Sequence, residues 1–373
     1  MSLNRRQFLT TLAGLGLMPF AALGRPADAK HPIGFISARG DHQGRYFLTG
    51  LDENAGLRFD VPLPGRGHGM AIHPVHEHAI AFARRPGQFL LVIDMQSGEV
   101  LHRLNSAEQR HFFGHGVFTP DGRWLFTTEN DLNKDRGVIG VRDATDGYRQ
   151  VAELPSHGIG PHELKLTADG RTLVIANGGI LTRPETGRSK LNLDTMSPSL
   201  AYVDSDDGKL LAEHKLPKAL HQNSIRHIAI NADDTVCIGL QYQGEAYEQP
   251  LLVGMHRPGE EITLLETPVN VLSRMRNYCG SVTVDASGKT FAISSPRGNL
   301  VTFWSAEGGG YLGHTDVSDG CGIASAHEAG EFFISSGMGR IVRYRLGDQS
   351  KTPLAEASGI AARWDNHMLG LGA

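Results

Sequence analysis

Gly114-His115-Gly116-Val117-Phe118-Thr119-Pro120-Asp121-Gly122-Arg123-Trp124-Leu125-Phe126 decides the fold. Two short runs rich in aromatic and β-branched residues flank Asp121-Gly122, a dipeptide that favours a tight hairpin turn. The pattern recurs at Pro161-His162-Glu163-Leu164-Lys165-Leu166-Thr167-Ala168-Asp169-Gly170-Arg171. Further copies run from Arg226-His227 to Asp234 and from Tyr278-Cys279-Gly280 to Gly288. Weaker ones begin at Gly67-His68-Gly69 and Gly320-Cys321-Gly322. The anchors His68, His115, His162, His227, Cys279 and Cys321 are 47, 47, 65, 52 and 42 residues apart. Spacings of this size match a four-stranded propeller blade.

Within one period the expected strands are Gly116–Pro120, Trp124–Thr128, Val138–Arg142 and Tyr148–Leu154. Before His68 there is room for only three: Ile33–Ala38, Arg45–Leu51 and Leu57–Pro62. After Cys321 the chain reaches Trp364-Asp365-Asn366-His367, 46 residues on. Residues 367–373 are therefore expected to supply the innermost strand of the N-terminal blade, which removes the open edges of the ring. The fold class is all-β, a seven-bladed β-propeller over residues 30–373. The 65-residue interval carries an insertion, 177–199, expected to form a loop over one face.

Composition agrees. The 46 glycines serve frequent turns, where φ > 0 costs glycine nothing. A 40% hydrophobic content argues against disorder, and 36 basic against 40 acidic residues leave no footprint for nucleic acid. Three cysteines are too few for a disulfide scaffold. Residues 1–29 read as an export signal: Arg5-Arg6-Gln7-Phe8-Leu9 opens a mildly apolar run, and Ala27-Asp28-Ala29 fits a cleavage site. The expected location is the periplasm, reached by the twin-arginine route. No later stretch is long and apolar enough for a membrane span.

The anchors carry the chemistry. His68, His115, His162, His227, Cys279, Cys321 and His367 are each expected where an innermost strand begins, at the mouth of the central channel. Imidazoles and thiols together suit copper, zinc or iron. The distance from each anchor to the following turn varies from four to six residues. Side chains alternate along a strand, so a one-residue offset turns a group away unless a bulge restores it. Three to five ligands are therefore expected to converge on one metal, and all seven only in a multinuclear cluster. Cys279 and Cys321 have a second possible fate as a disulfide, and Cys237 is expected in the core. Glu129 and Glu163 are candidate oxygen ligands or bases. Arg66, Arg110, Arg226, Arg274, Arg276 and Arg363 lie near the same rim and could hold an anion. His73, His76, His78 and His327 fall near turns at the opposite end. Gly-x-Ser-x-Gly, His-Glu-x-x-His and phosphate-loop motifs are absent.

Gly67-His68-Gly69, Phe113-Gly114-His115-Gly116-x-Phe118-x-x-Asp121-Gly122, Gly158-x-Gly160-Pro161-His162-Glu163-Leu164 and Trp364-Asp365-Asn366-His367 resemble bacterial domain-of-unknown-function family 1513. The resemblance spans residues 31–373. It implies an exported WD40-like propeller whose genes accompany imelysin-type proteins, and hence iron acquisition or metal handling. The implied cofactor is a transition metal, iron or copper. The ring and the rim arginines themselves point to a metal ion or small anionic metal chelate as partner, and the resemblance adds periplasmic iron-uptake proteins. The ring is also similar to the copper-holding propeller of nitrous oxide reductase, but two positions here are cysteine. Three functions stay open: a metal-binding propeller, a redox enzyme or lactonase-like hydrolase using a channel metal, and a docking platform with a structural histidine ring.

Overall fold

The structure is a computed structural model and describes residues 32–85, 87–187, 189–354 and 362–371. The export-signal segment lies outside the described residues. Seven antiparallel sheets of four strands each make a seven-bladed β-propeller. Blade 1 runs from its inner strand Arg363–Gly370 through Phe35–Gly40 and Tyr46–Leu51 to Leu57–Leu63. The C-terminal strand thus closes the ring onto the N-terminal blade, as the period predicts. The inner strands of blades 2 to 7 are Gly67–Ile72, Arg110–Phe118, Pro161–Leu166, Asn223–Ile230, Ser281–Val284 and Gly320–Ser325. Each packs against the inner strands of the neighbouring blades around the axis.

Three inner strands begin well before their anchors, at Arg110, Asn223 and Arg363, and their histidines sit inside them. The cause is a slip in register. Between Phe112 and Gly116 three residues oppose the single residue Thr128, and pairing resumes beyond to Arg110 opposite Asp131. The same happens between Trp364 and Met368, where Ala38 is faced by the bulge. The slip recurs in every inner strand except Ser281–Val284, and always at or beside the anchor.

Apolar faces meet between blades. Phe126, Ile139, Leu164, Leu173 and Ile175 fill the gap between blades 3 and 4. Phe35 and Phe333 pack at 4.8 Å between centroids where blade 7 meets blade 1. Burying each such side chain contributes about 1.5–3 kcal/mol. Outer strands such as Val100–Asn105 alternate half-buried and exposed residues, as a strand wet on one face should. No helix among the described residues is long and apolar enough to cross a membrane.

The insertion becomes a strap. It leaves blade 4 at Asn177 and returns at Ser199. It lies across blades 3 and 2: Asn130 donates to the Thr182 carbonyl (3.4 Å), Arg183 pairs with Asp135 (2.6 Å), and Arg85 donates to Thr182 Oγ1 (2.7 Å). The loop expected over one face is therefore tied down at the channel mouth.

Candidate metal centre

Five consecutive blades, 1 to 5, each bring one histidine to the axis. His367, His68, His115, His162 and His227 are all buried. Ring centroids of His68 and His367, of His115 and His367, and of His162 and His227 lie 4.6 Å apart. His68 and His115 lie at 4.9 Å, His227 and His367 at 5.0 Å, and His115 and His162 at 5.2 Å. This is a packed cluster. The bulges make it possible, because each frees its anchor from the strict alternation of the strand. Glycine makes room for it. A Cβ on Gly69 would lie 2.4 Å from the Gly114 carbonyl and 2.9 Å from His115 Nδ1, and one on Gly114 would lie 2.6 Å from the His68 ring. Gly114 also has φ +100°, which favours glycine.

Two groupings of three ligand atoms within 4.8 Å of one another arise: His68, His115 and His162, and His115, His227 and His367. His115 belongs to both. Four ring nitrogens in the cluster are buried without a hydrogen-bond partner: His68 Nδ1, His115 Nε2, His162 Nδ1 and His367 Nε2.

The electrostatics keep these rings neutral. Burial, reinforced by the charge of Arg84, pushes His68 down to about 4 against the pull of Asp365. Burial likewise holds His115, His162 and His367 well below the usual histidine range, and lowers His227 despite its contact with Glu163. A neutral imidazole keeps a lone pair for a metal.

Two ionised carboxylates back the cluster. Glu163 Oε2 lies 3.2 Å from His227 Nδ1 and accepts the Ile228 amide, while Oε1 pairs with Lys165 Nζ at 2.9 Å and faces His115 Nδ1 at 3.8 Å. Asp365 faces His68 Nδ1 at 3.8 Å and is held by Arg66 (2.5 Å) and Arg84 (2.9 Å). Burial alone would raise both acids. Lys165 with His115 and His227 for Glu163, and the facing His68 with Arg84 and Arg66 for Asp365, instead hold them far below the usual carboxylate range.

The two ring cysteines do not join the histidines. Cys279 precedes the inner strand of blade 6, the one inner strand without a register slip. Its thiol sits in an apolar cluster with Cys237, Met255, Val271 and Trp304 and donates to the Leu252 carbonyl at 3.4 Å. Cys321 donates to the Asp319 carbonyl at 3.0 Å. Burial pushes the Cys279 thiol up to about 12, and Cys321 higher still. The expectation that both complete the ring is corrected on this geometry. The disulfide alternative is corrected too, because all three cysteines are free.

Other candidates scatter. Glu129 is buried inside blade 3 beside Thr127 and Arg142, away from the cluster. Of the rim arginines, Arg110 pairs with Asp131 and Glu153, Arg274 with Asp316, and Arg66 with Asp365, while Arg226 lines the channel mouth. His73, His76 and His78 form a separate group at the opposite-end turns, and His327 pairs with Glu53. Asp365 and Arg84 escaped the sequence reading. Asp365 lay in the Trp-Asp-Asn-His motif, two residues before a ring position. Arg84 left no such signal.

Above the histidines opens a cavity of about 300 Å³. His68, His162 and His227 form part of its wall, and the strap adds Ile180 and Lys190.

The family described as "Protein of unknown function (DUF1513)" matches residues 61–371. No curated protein matches the sequence. Hydrazine synthase of Kuenenia stuttgartiensis is similar in fold, with a TM-score of 0.60 at 14% identity, over 90% of this chain and 99% of that one. A functionally unknown protein from Desulfotomaculum acetoxidans DSM 771 has a TM-score of 0.62 at 12% identity, over 91% of this chain and 99% of that one. At such identities the likeness concerns the fold alone.

Proposed function

We infer that this chain, which belongs to the family of unknown function DUF1513, is a metal-binding propeller that holds one first-row transition metal in its histidine cluster. The observation that carries this reading is the set of four buried, unpartnered ring nitrogens gathered within two interlocking three-histidine groupings. Buried polar atoms are ordinarily paired, and an unpaired one calls for an ion, a water or a role. Orphaned ring nitrogens occur elsewhere, both of those of His111 and one of His256, but not in convergent groups. Neutral imidazoles backed by Glu163 and Asp365 follow the arrangement of carboxylate behind histidine that raises ligand basicity and sets ring orientation. With nitrogen donors and no thiolate, copper ranks ahead of iron on intrinsic affinity. The export signal and the family resemblance support a periplasmic role in metal acquisition or handling, with a metal ion or small anionic chelate as cargo and iron-uptake proteins as partners.

A second reading, a metal-dependent enzyme, draws on the cavity. It opens onto three of the five histidines, so a bound metal would have room for an exchangeable ligand. Elemental analysis of protein purified from its native host tests the main reading. About one equivalent of copper or iron per chain, lost in His115→Ala, is expected. A trace content that His115→Ala leaves unchanged would overturn it.

A further inference from the structure

The cavity above the histidines has a charge problem. Arg84, Arg85, Lys190, Arg226 and Arg297 line it, and no carboxylate does. Arg84 spends its charge on Asp365. Arg226, by contrast, has neither a hydrogen bond nor an ion pair from its guanidinium among the described residues, and its Nε is buried. Arg297 lies 4.3 Å over the ring of Tyr278 and has no acidic partner among the described residues. Lys190, carried in by the strap, feels both Arg226 and Arg297. Arg226 is half-buried, and Arg297 and Lys190 are exposed at the rim. A cleft lined by one sign of charge concentrates counter-ions, so an anion is its natural complement.

We propose that the channel mouth is a binding site for a small organic polycarboxylate, clamped between Arg226, Arg297 and Lys190. The guanidinium fork matches a carboxylate with two parallel hydrogen bonds. The volume, about 300 Å³, suits a compact ligand at the small end of the usual range. Phe113, Ile180 and Tyr278 supply apolar wall for a carbon skeleton, which inorganic phosphate lacks. The strap has a role in this arrangement: it is the element that brings Lys190 and Ile180 to the mouth, and Thr182 anchors it on Arg85. This site goes beyond the metal reading and does not depend on it.

The test is calorimetric titration of the full chain, stripped of metal and freed of chelator, with citrate and separately with inorganic phosphate at low salt. Saturable one-site binding of citrate, tighter than phosphate, is expected. Arg226→Gln should weaken it by about tenfold or more and Arg297→Gln by a smaller factor, while Arg149→Gln, an exposed arginine paired with Asp146, should leave it unchanged. Added salt should weaken it. No saturable citrate binding, phosphate binding as tightly as citrate, or citrate affinity unaltered in both Arg226→Gln and Arg297→Gln would overturn the proposal. If Arg226→Gln does not fold, the outcome at the rim residue Arg297 decides alone. Metal content is measured separately, so either site can fail without the other.

Discussion

Glu163 Oε2 lies 3.2 Å from Nδ1 of His227 and ties the inner strand of blade 4 to that of blade 5. The contact leaves Nε2 as the other ring nitrogen of His227, available to the cluster. Because Lys165 holds the opposite oxygen of Glu163, the carboxylate is itself oriented. Glu163→Gln keeps the shape and removes the charge. Loss of such a partner typically costs about 10–100-fold in metal affinity. Competition against a calibrated chelator should show a fall of that order, while denaturant unfolding of the metal-free protein reads separately the stability lost with the Lys165 pair. Equal affinity in the two proteins would mean that the carboxylate has no role behind the ligand.

His115 belongs to both three-histidine groupings, whereas each other histidine belongs to one. His115→Ala should therefore abolish stoichiometric metal. His68→Ala and His227→Ala should each leave the alternative trio and retain weaker binding. Metal per chain across the three variants, measured on the same preparation scale, gives the ranking.

The cysteines should behave as core residues. Cys279→Ser keeps a donor for the Leu252 carbonyl but places a hydroxyl in an apolar cluster, and should cost about 1–2 kcal/mol in denaturant unfolding. Cys279→Ser and Cys321→Ser should both leave metal content as in the parent. A metal loss in either, with folding intact, would return the thiols to the ligand set.

Acid should destabilise the metal-free protein in a defined window. The cluster histidines take up protons less readily folded than unfolded, so below the ordinary value near 6.5 the unfolded chain binds more protons. Stability is then fully present above that value and declines as pH falls toward about 4, where His68 titrates. Glu163 and Asp365, held low in the folded state, lose their contribution at still lower pH. Denaturant midpoints between pH 7.5 and 5 should fall steadily, and fall less in His162→Gln, which removes one of the depressed groups. A flat profile in the parent would show that the rings are not buried neutral.

Ring closure rests on the C-terminal strand. Ending the chain at Leu354 would leave blade 1 with three strands, and would strip Phe35 and Phe333 of Trp364 and Met368. The shortened chain should lose cooperative unfolding and aggregate, because two sheet edges open. Calorimetry and light scattering read this directly. A sharp transition near the parent midpoint would show that six blades and a remnant suffice.

What the sequence determined by itself was everything that follows from a period. Recurring anchors near every 47 residues and Asp-Gly turns imply four-stranded blades, and the 46-residue step from Cys321 to His367 implies closure by the C-terminal strand. They also bring His68, His115, His162, His227 and His367 to one axis, since equivalent positions in a cyclic array must meet. Tertiary structure alone decided which anchors point inward. Direction along a strand reverses with each residue, so a register slip can restore it, and slips are products of the pairing between two strands. A slip alone is not enough: blade 7 slips at Cys321, yet that thiol donates to the Asp319 carbonyl. The slips around His115 and His367 restore the inward direction. Blade 6 has none, and Cys279 turns into the apolar seam. Charge pairing across blades was equally hidden. Asp365 meets Arg84 from 281 residues away, and Arg226 is left without an acidic partner among the described residues, only because the ring brings those strands side by side.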